Sequence, residues 1–284
     1  MDEPLAVLFT SFSNRADKLE VYTNTIRNWA AFLPHIQPVL FTTFEKGPVI
    51  DIAFSYGWYV YPNPVTNRYG CPVFKEMYKE AFRRFNASFY GFANGDILFD
   101  YGLNDTLNRL REKEKLIKVP LLFGIRWNHN ITTSGNDHVT DVASFWKPRT
   151  VTHLANPQYS KLFRHDAFDY FFVTRSYPFD KVLPLVISRG GFDTYIVAMA
   201  NIWHLATIEG TNTVLALHQT DQDGNMAHKA LPNNEMNMMY NRHILRKFSY
   251  KAGRAENAMY GTETTVNGSV YFKCRRCPYK KDIM

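Results

Sequence analysis

The sequence predicts an α/β fold, with a mostly parallel sheet and helices on both of its faces. Two observations predict it. Short apolar runs rich in β-branched and aromatic residues alternate with longer segments whose apolar residues recur at helical spacing. The chain has 284 residues, of which 45% are hydrophobic, so it can bury a large core. Alternation of this kind is typical of parallel strands joined by crossover helices, and we expect ligands beyond the carboxyl ends of the strands.

The first hundred residues contain four predicted strands, PLAVLFTSF, QPVLFTTF, WYVYPNP and SFYGFANGDILF. A helix follows the first strand in KLEVYTNTIRNWAAFL, where Leu19, Tyr22 and Ile26 recur at helical spacing. VIDIAFSYG predicts a short helix, and VFKEMYKEAFRRF predicts an amphipathic helix with its apolar residues on one side. Prolines end the third strand.

The fourth strand runs into Asn94, Gly95 and Asp96. A carboxylate is costly to bury without a partner, whereas the carboxyl end of a strand in such a sheet opens on the ligand crevice. Asp96 can therefore meet a cation or a substrate there. On the tripeptide alone a simple turn is favoured, because Asn-Gly and Gly-Asp are common turn pairs. The ligand-binding interpretation depends on the rest of the chain.

Later segments also combine apolar runs with polar residues. LLFGIRWNHN predicts a strand that ends in Arg126, Trp127 and Asn128, and FDYFFVTR predicts one that starts at Asp169. SRGGFDTYIVAMAN places two glycines just before Asp193 at a predicted helix start. Glycine lets a backbone approach a ligand closely, and the helix start favours negative charge.

LATIEGTNTVLALHQ predicts an apolar strand that ends at His218, as the fourth strand ends at Asp96. A lone histidine at such a position is more often structural than a ligand, but a second polar group at a strand end improves the case for a site. The chain has neither G-x-G-x-x-G after its first strand nor G-x-x-x-x-G-K-[ST] anywhere. Both absences argue against a dinucleotide enzyme and a P-loop NTPase.

The net charge of +7 is concentrated near the carboxyl terminus, where residues 246–284 hold nine basic and three acidic groups. The rest of the chain is nearly neutral, which argues against a nucleic-acid-binding face. We expect a single domain over residues 1–248, with a nucleotide-binding half at 1–130 and an acceptor half at 131–248. Residues 249–284 are then expected to form a solvated basic tail.

Three cysteines make an odd number, which does not indicate a disulfide framework. The segment Cys274 to Cys277 has the spacing of half a zinc site, but no second ligand pair lies nearby. No apolar window is long enough to cross a membrane, and the first residues are acidic where a signal peptide is basic. The sequence thus predicts no transmembrane segment. It leaves open a cytoplasmic location, or the Golgi lumen if targeting lies outside this chain.

Together these segments resemble the GT-A fold of nucleotide-sugar-dependent glycosyltransferases, over roughly residues 5 to 228. The resemblance is carried by an N-x-D-I strand end, an R-W-[DN] strand end, a D-Y-F strand, a G-[RG]-x-[FWY]-D segment and an H-Q segment. They fall here at Asn94 to Ile97, Arg126 to Asn128, Asp169 to Phe171, Gly190 to Asp193, and His218 with Gln219. Their order and spacing are more specific than any single motif.

The resemblance implies transfer of a sugar from a nucleoside diphosphate sugar, of the UDP type by family habit, to a hydroxyl of a carbohydrate or glycoconjugate acceptor. It implies a Mn²⁺ or Mg²⁺ cofactor bound by Asp96 and His218, and Asp193 as the catalytic base in an inverting reaction. The family motif D-x-D begins with an aspartate, and here Asn94 stands in its place. The site then has one fewer negative charge, and loss of catalysis is an open alternative.

The resemblance also implies two sets of binding residues. The donor nucleotide is expected to contact Thr10, Arg15, Lys75, Asn94 and Arg189. The acceptor is expected to contact Arg126, Trp127, Asp169, Tyr170, Gly190 and Gly191. Among these, the two aromatic rings would stack on sugar faces, although aromatic residues in such a chain are more often core. An ordinary surface charge is the alternative explanation for the basic donor contacts.

Two alternative functions stay open. A sugar-phosphate nucleotidyltransferase shares the sheet but normally carries a first loop rich in glycine and arginine, and TSFSNRADK has no glycine. A non-catalytic nucleotide- or carbohydrate-binding protein on the same fold is suggested by Asn94. Donor hydrolysis that depends on a metal would separate the enzyme from the binding protein.

Overall fold

The computed structural model describes residues 3–131, 144–221, 224, 229–278 and 281–284. The helices in these ranges are α1 Leu19–Ala30, α2 Pro48–Ser55, α3 Phe74–Arg84, α4 Gly102–Glu112, α5 Pro148–Leu154, α6 Phe192–Ile202 and α7 Asn234–Ile244. The strands are β1 Ala6–Thr10, β2 Ile36–Thr42, β3 Tyr59–Pro62, β4 Phe89–Ala93, β5 Ile97–Phe99, β6 Pro120–Phe123, β7 Trp127–Asn130, β8 Lys161–Leu162, β9 Tyr170–Val173, β10 Ala206–Glu209, β11 Ala216–Thr220, β12 Tyr260–Thr264 and β13 Val270–Cys274.

A nine-stranded sheet organises the fold, in the order β13-β12-β10-β6-β9-β4-β1-β2-β3. Strands β1 to β4 pair in parallel, and β10 pairs in parallel with both β6 and β12. Strand β9 runs antiparallel between β4 and β6. The predicted α/β fold with a mostly parallel sheet is confirmed. Because β9 runs in the opposite direction, its amino end lies at the same edge of the sheet as the carboxyl ends of β4 and β6.

Helices pack on both faces of this sheet, as the sequence predicts. Helices α1, α2 and α4 cover one face, to which they contribute Trp29, Ile50 and Leu107. Helices α3 and α6 cover the other face, to which they contribute Phe74 and Ile196. Successive residues of β1 belong to the two clusters in turn. Burial on both faces explains why its sequence is an unbroken apolar run and does not alternate with polar residues.

A second, four-stranded sheet has the order β5-β11-β7-β8 and packs against α5. The segment LLFGIRWNHN, predicted as one strand, is divided between the two sheets: β6 ends at Phe123 and β7 begins at Trp127. At the division, a side chain on Gly124 would collide with the ring of Tyr170. The prediction that His218 ends a strand is also wrong, because it is the third residue of β11.

Residues 260–274 do not form the solvated tail that the charge distribution predicted. Strand β12 pairs in parallel with β10, and β13 pairs antiparallel with β12, so the two strands extend the main sheet. Phe272 is fully buried and joins the main core. The charged residues of the hairpin face outward, as Lys273 and Glu263 do in an ion pair of 2.6 Å. The many basic residues of this segment therefore predicted a fully solvated tail, although one face of the hairpin is buried.

The hairpin ends in a disulfide between Cys274 and Cys277, which corrects the expectation from the odd cysteine count. The pair is therefore not half of a zinc site, and Cys71 is the free thiol. Next to the disulfide, Arg275 turns toward the core, where its Nη2 donates a hydrogen bond of 2.9 Å to Oε2 of the buried Glu209. This ion pair fastens the carboxyl-terminal segment to β10.

Two predicted segments extend outside the described residues. Residues 132–143 follow the expected boundary between the two halves of the domain, and residues 225–228 end the stretch over which the resemblance was found. The division into halves stays a prediction. In the described part of the chain, no helix has both the length and the apolar character needed to cross a membrane.

We expect Arg275→Ala to lower the free energy of unfolding by about 2 kcal/mol, because it leaves the Glu209 carboxylate buried without its cation. The cost of breaking a fully buried pair is roughly 3–5 kcal/mol, and the Arg275 side chain is 33% exposed. Urea denaturation followed by circular dichroism measures the change. Arg276→Ala, on the exposed neighbour, is the matched control and should stay within about 0.5 kcal/mol of the parent. Equal effects of the two substitutions would contradict the anchoring role of Arg275.

Candidate active site

An open cleft of about 420 Å³ lies at the edge of the main sheet where β1 and β4 end. This is the position that the α/β prediction gives for a ligand. The predicted site residues that line it are Arg15, Asn94, Asp96, Arg126, Asp169, Arg189, Gly190, Asp193 and His218. Residues that are far apart in the sequence thus meet in one cleft.

The tripeptide Asn94 to Asp96 is a turn between β4 and β5, and this turn faces the cleft. Helix α1 and strand β11 hold it in place. Thr25 Oγ1 donates a hydrogen bond of 2.9 Å to the carbonyl of Gly95, and the N–H of Gln219 donates one of 3.0 Å to the carbonyl of Asp96. A side chain at Gly95 would lie 2.6 Å from the ring of Phe12. The turn therefore has a fixed backbone that orients Asp96.

Asp96 and His218 form a pair in the cleft, with 3.1 Å between Oδ2 and Nε2. The antiparallel register of β5 and β11 brings them together, because His218 is opposite Ile97, the neighbour of Asp96. Asp96 Oδ1 and His218 Nδ1 are buried and have no hydrogen-bond partner among the described residues. Burial raises the pKa of Asp96, but the charges of His218 and Arg126 and the bond from His218 outweigh it, so this pKa lies below its usual value.

The pair has the donor types that a divalent cation accepts, an anionic oxygen and an imidazole nitrogen. Within the described ranges, however, no group of three or more His, Cys, Asp or Glu side chains is placed to hold a metal ion. Two protein ligands suit a Mg²⁺ or Mn²⁺ ion whose other ligands are waters and substrate phosphates. The buried Oδ1 of Asp96 without a partner is the structural feature that fits such an ion.

Asp169 is the centre of a buried network on the floor of the cleft. It precedes β9, and its carboxylate accepts hydrogen bonds from Arg126 Nη1 and from Asn94 Nδ2. Its backbone carbonyl accepts a further bond of 2.9 Å from the N–H of Asn94. Ser188 Oγ donates to Asn94 Oδ1 at 3.1 Å. The amide of Asn94 therefore donates to one partner and accepts from another, which a carboxylate at this position could not do.

Asp193 lies in the first turn of α6. Its pKa is raised to about 6, mainly by burial and in part by the charge of Asp169. Backbone hydrogen bonds from Thr194 and Phe168 favour the charged form and limit this rise. The bond from the N–H of Phe168 to Oδ2 is 3.2 Å long. A carboxyl with a pKa near 6 is deprotonated at neutral pH and still basic enough to accept a proton. Gly191, just before the helix, has a positive φ of 86°.

Five predicted site residues do not line the cleft. Thr10 is 1% exposed and lies beneath the turn, and Gly191 is packed against Tyr250. The charge of Lys75 acts on Asp180, outside the cleft. The remaining two, Trp127 and Tyr170, are aromatic.

The aromatic pair was expected to stack on sugars. Tyr170 is fully buried and packs at 5.5 Å, centroid to centroid, against Phe99. The stacking prediction is therefore wrong for Tyr170. Trp127 packs against the small core of the second sheet. In both cases the side chain contributes to packing between strands, which is the common role of aromatic residues in strands.

A buried ion pair in the cleft was missed from the sequence. Lys18, at the end of the β1–α1 loop, donates hydrogen bonds of 2.6 and 2.5 Å to the carboxylate of Asp221, just after β11. Both residues line the cleft, and Lys18 is 6% exposed. A lysine at the start of an amphipathic helix is ordinary on a surface, so the sequence alone gave no signal. Its pairing with Asp221 depends on a contact across the fold.

Comparison with solved structures finds similarity to glycosyltransferases. A mannosyltransferase from Pyrobaculum calidifontis, in complex with GDP-Man and Mn²⁺, has a TM-score of 0.47 at 9% identity, over 87% of this chain and 71% of that one. Glucosyl-3-phosphoglycerate synthase from Mycobacterium tuberculosis has a TM-score of 0.35 at 12% identity, over 61% of this chain and 57% of that one. TarS from S. aureus, in complex with UDP-GlcNAc, has 0.31 at 12% identity, over 44% and 35%.

This chain therefore spans 57% and 35% of the length of the last two structures. No protein-family model matches the sequence, and no curated protein matches it.

We expect Asn94→Asp to destabilise the protein at pH 7, by roughly 2–3 kcal/mol, because a second carboxylate would replace the amide that donates to Asp169. Asn94→Ala is the matched control. It loses the bond donated to Asp169 and also the bond accepted from Ser188, but it adds no charge and should cost only about 1 kcal/mol. Urea denaturation of the parent and both variants measures the difference. An aspartate variant as stable as the alanine variant would show that repulsion from Asp169 is unimportant.

Proposed function

We propose that this protein is a metal-assisted glycosyltransferase that moves a sugar from a nucleoside diphosphate sugar, of the UDP type, to a hydroxyl group of a carbohydrate or glycoconjugate. The observation that carries the proposal is the Asp96–His218 pair of 3.1 Å, in a cleft that also contains Asp193 with its pKa of about 6. A pair of metal-binding type and a carboxyl of basic type are the two groups that such a transfer needs. On this proposal the transferred sugar is a hexose, so the enzyme is of the hexosyltransferase type.

On this proposal the donor diphosphate binds next to the turn after β4. Asp96 and His218 would hold a Mn²⁺ or Mg²⁺ ion there, and such an ion would supply Lewis-acid stabilisation of negative charge on the diphosphate. Arg15 lines the same cleft and contributes a further positive charge for phosphate oxygens. Thr25 and Gln219 keep the turn in place and so fix the direction of Asp96.

Asp193 then acts on the acceptor. As the acceptor oxygen forms its bond to the anomeric carbon, its proton passes to the Asp193 carboxylate, while the electron pair of the breaking anomeric bond goes to the diphosphate. This is the arrangement of an inverting transfer. A base whose pKa lies just below neutral pH is suited to the step, because it is charged and still basic. Its position in the first turn of α6 fixes it on a rigid element.

A second candidate is a nucleotide- or carbohydrate-binding protein without catalysis. One observation favours it: Asn94 stands where the D-x-D motif has its first aspartate. The side-chain amide of Asn94 is hydrogen-bonded to Asp169 and Ser188. Such a protein would bind the nucleoside diphosphate but would neither transfer nor hydrolyse a donor. Transfer or hydrolysis of a donor by the parent protein distinguishes the candidates, because only the enzyme carries out either reaction.

The first experiment tests the metal. We expect UDP to raise the melting temperature only when Mn²⁺ or Mg²⁺ is present, and Asp96→Ala to abolish the effect. A ligand at one hundred times its dissociation constant stabilises by roughly 2.7 kcal/mol, so the shift is measurable in a thermal denaturation series. Asp17→Asn, on an exposed carboxylate near the cleft, is the control and should keep the shift. Equal stabilisation by UDP in EDTA would argue against the metal.

The second experiment tests the base. Asp193→Asn keeps the shape of the side chain and removes its basicity, so we expect transfer to fall roughly 10² to 10⁴-fold with donor affinity nearly unchanged. The rate of the parent should rise with pH through about 6 and level off above it, because Asp193 must be deprotonated. Asp166→Asn, on a neighbouring carboxylate paired with Arg164, is the matched control. Comparable transfer by parent and Asp193→Asn would show that Asp193 only caps the helix.

The pH dependence of the free energy of unfolding tests the raised pKa of Asp193 independently of transferase activity. The folded pKa of about 6 is above the ordinary 3.8, so the Asp193 carboxyl favours the folded state when protonated and loses that contribution as the pH rises through 6. At pH 8 Asp193→Asn should therefore be more stable than the parent, by up to about 3 kcal/mol, and near pH 3 the two should be similar. Urea denaturation at both pH values measures this. A loss of stability at pH 8 would contradict the raised pKa.

A further inference from the structure

Arg189 is a buried cation in the cleft. It is 5% exposed, and its described hydrogen bond, of 2.9 Å, runs from Nη1 to the carbonyl of Ser188, the preceding residue. Its Nε is buried and has no hydrogen-bond partner in the described part of the chain. The other arginines and lysines of the cleft have carboxylate partners, in the pairs Arg15–Asp17, Lys18–Asp221, Arg126–Asp169 and Arg164–Asp166. Among the described residues, no carboxylate forms an ion pair with Arg189.

A buried guanidinium without a counter-ion is costly for a folded protein. Burial lowers the pKa of Arg189, and the nearby Cys71 raises it by a smaller amount. Arginine nevertheless keeps its proton under ordinary conditions. The planar guanidinium matches the oxygens of phosphate and carboxylate groups. The cost is explained if a ligand brings the missing anion into the cleft.

We propose that Arg189 binds an anionic group of the acceptor, a phosphate or a carboxylate, and that the acceptor is therefore an anionic sugar or glycoconjugate. The inference rests on the proposed function. Arg189 belongs to the segment that continues through Gly190 and Gly191 to Asp193, so the chain places the cation and the base close to each other in sequence. An anionic acceptor would be repelled by the carboxylate of Asp193, and a neighbouring arginine offsets that repulsion.

The donor phosphates are the competing partner of Arg189, since the sequence resemblance assigns this residue to the donor. The donor has another positive charge available in the cleft, that of the metal proposed at Asp96 and His218, whereas Arg15 is already paired with Asp17. The acceptor side, as the described residues show it, has Arg189 and the exposed Arg164, which is already paired with Asp166. The acceptor therefore needs Arg189 more than the donor does.

The test measures inorganic phosphate binding by calorimetry, to protein saturated with UDP and Mg²⁺ so that the donor site is filled. We expect phosphate to bind, Arg189→Gln to weaken it at least tenfold, and Arg189→Lys to weaken it by a smaller factor because the charge is kept and the planar fork is lost. Arg164→Gln, on an exposed arginine of the same cleft, is the matched control and should change the affinity less than twofold. Glucuronate should compete with phosphate, whereas glucose should not.

Three results would overturn the inference. The first is that phosphate does not bind the UDP-saturated protein. The second is that phosphate binds the Arg189→Gln variant as tightly as the parent. The third is that this variant loses more than threefold in UDP affinity, which would assign Arg189 to the donor. Absence of UDP binding would instead overturn the proposed function. Phosphate binding that depends on Arg189 in the same sample would then still support the anion site, so the two failures are distinguishable.

The folding control follows from the same observation. Because Arg189 has no counter-ion in the described residues, Arg189→Met should leave the melting temperature of the ligand-free protein unchanged or raise it. A clear fall in melting temperature would show that Arg189 serves the fold and would count against the inference.

Discussion

The carboxylate of Asp169 holds together the floor of the cleft, because it accepts hydrogen bonds from residues that follow two other strands of the main sheet. Strand β9 runs antiparallel between β4 and β6, so its amino end lies next to their carboxyl ends. Asn94 from the end of β4 and Arg126 from beyond β6 both donate to Asp169. A buried carboxylate is stable only when it is paired and hydrogen-bonded, and these two donors satisfy that condition. The position of Asp96, two residues beyond Asn94, depends on this arrangement.

The charges of the cleft divide into those that serve the fold and those whose presence the fold does not explain. Arg126 and Lys18 are buried in ion pairs with Asp169 and Asp221, and each joins segments that are distant in the sequence. Arg189 and Asp193 are different, since burial disfavours the charged form of each and no described ion pair offsets it. Proteins tolerate such costs mainly at functional sites. The contrast between the two kinds of charge distinguishes binding groups from structural ones.

Sequence periodicity predicted the elements that are buried in a regular way, and it could not predict contacts between distant segments. The amphipathic pattern of α3 and the apolar run of β1 each indicated the correct element, because burial alone determines them. The division of LLFGIRWNHN between two sheets was missed, because the sheet to which each half belongs depends on the rest of the fold. Arg275 was counted as a tail charge because composition gives no direction to a side chain. Its pairing with Glu209 is visible only in the structure.

The asparagine at position 94 has a consequence for how the proposed metal and donor bind. An aspartate there would add a metal ligand, but it would also repel Asp169, so the buried network favours the amide. On our proposal the protein then offers the ion only Asp96 and His218, and the remaining ligands must come from water and the diphosphate. The ion and the donor would then each bind better when the other is present, and thermodynamic linkage would make that coupling equal in both directions. On our proposal, asparagine at position 94 would therefore leave the metal site in place and would make metal binding depend on the donor.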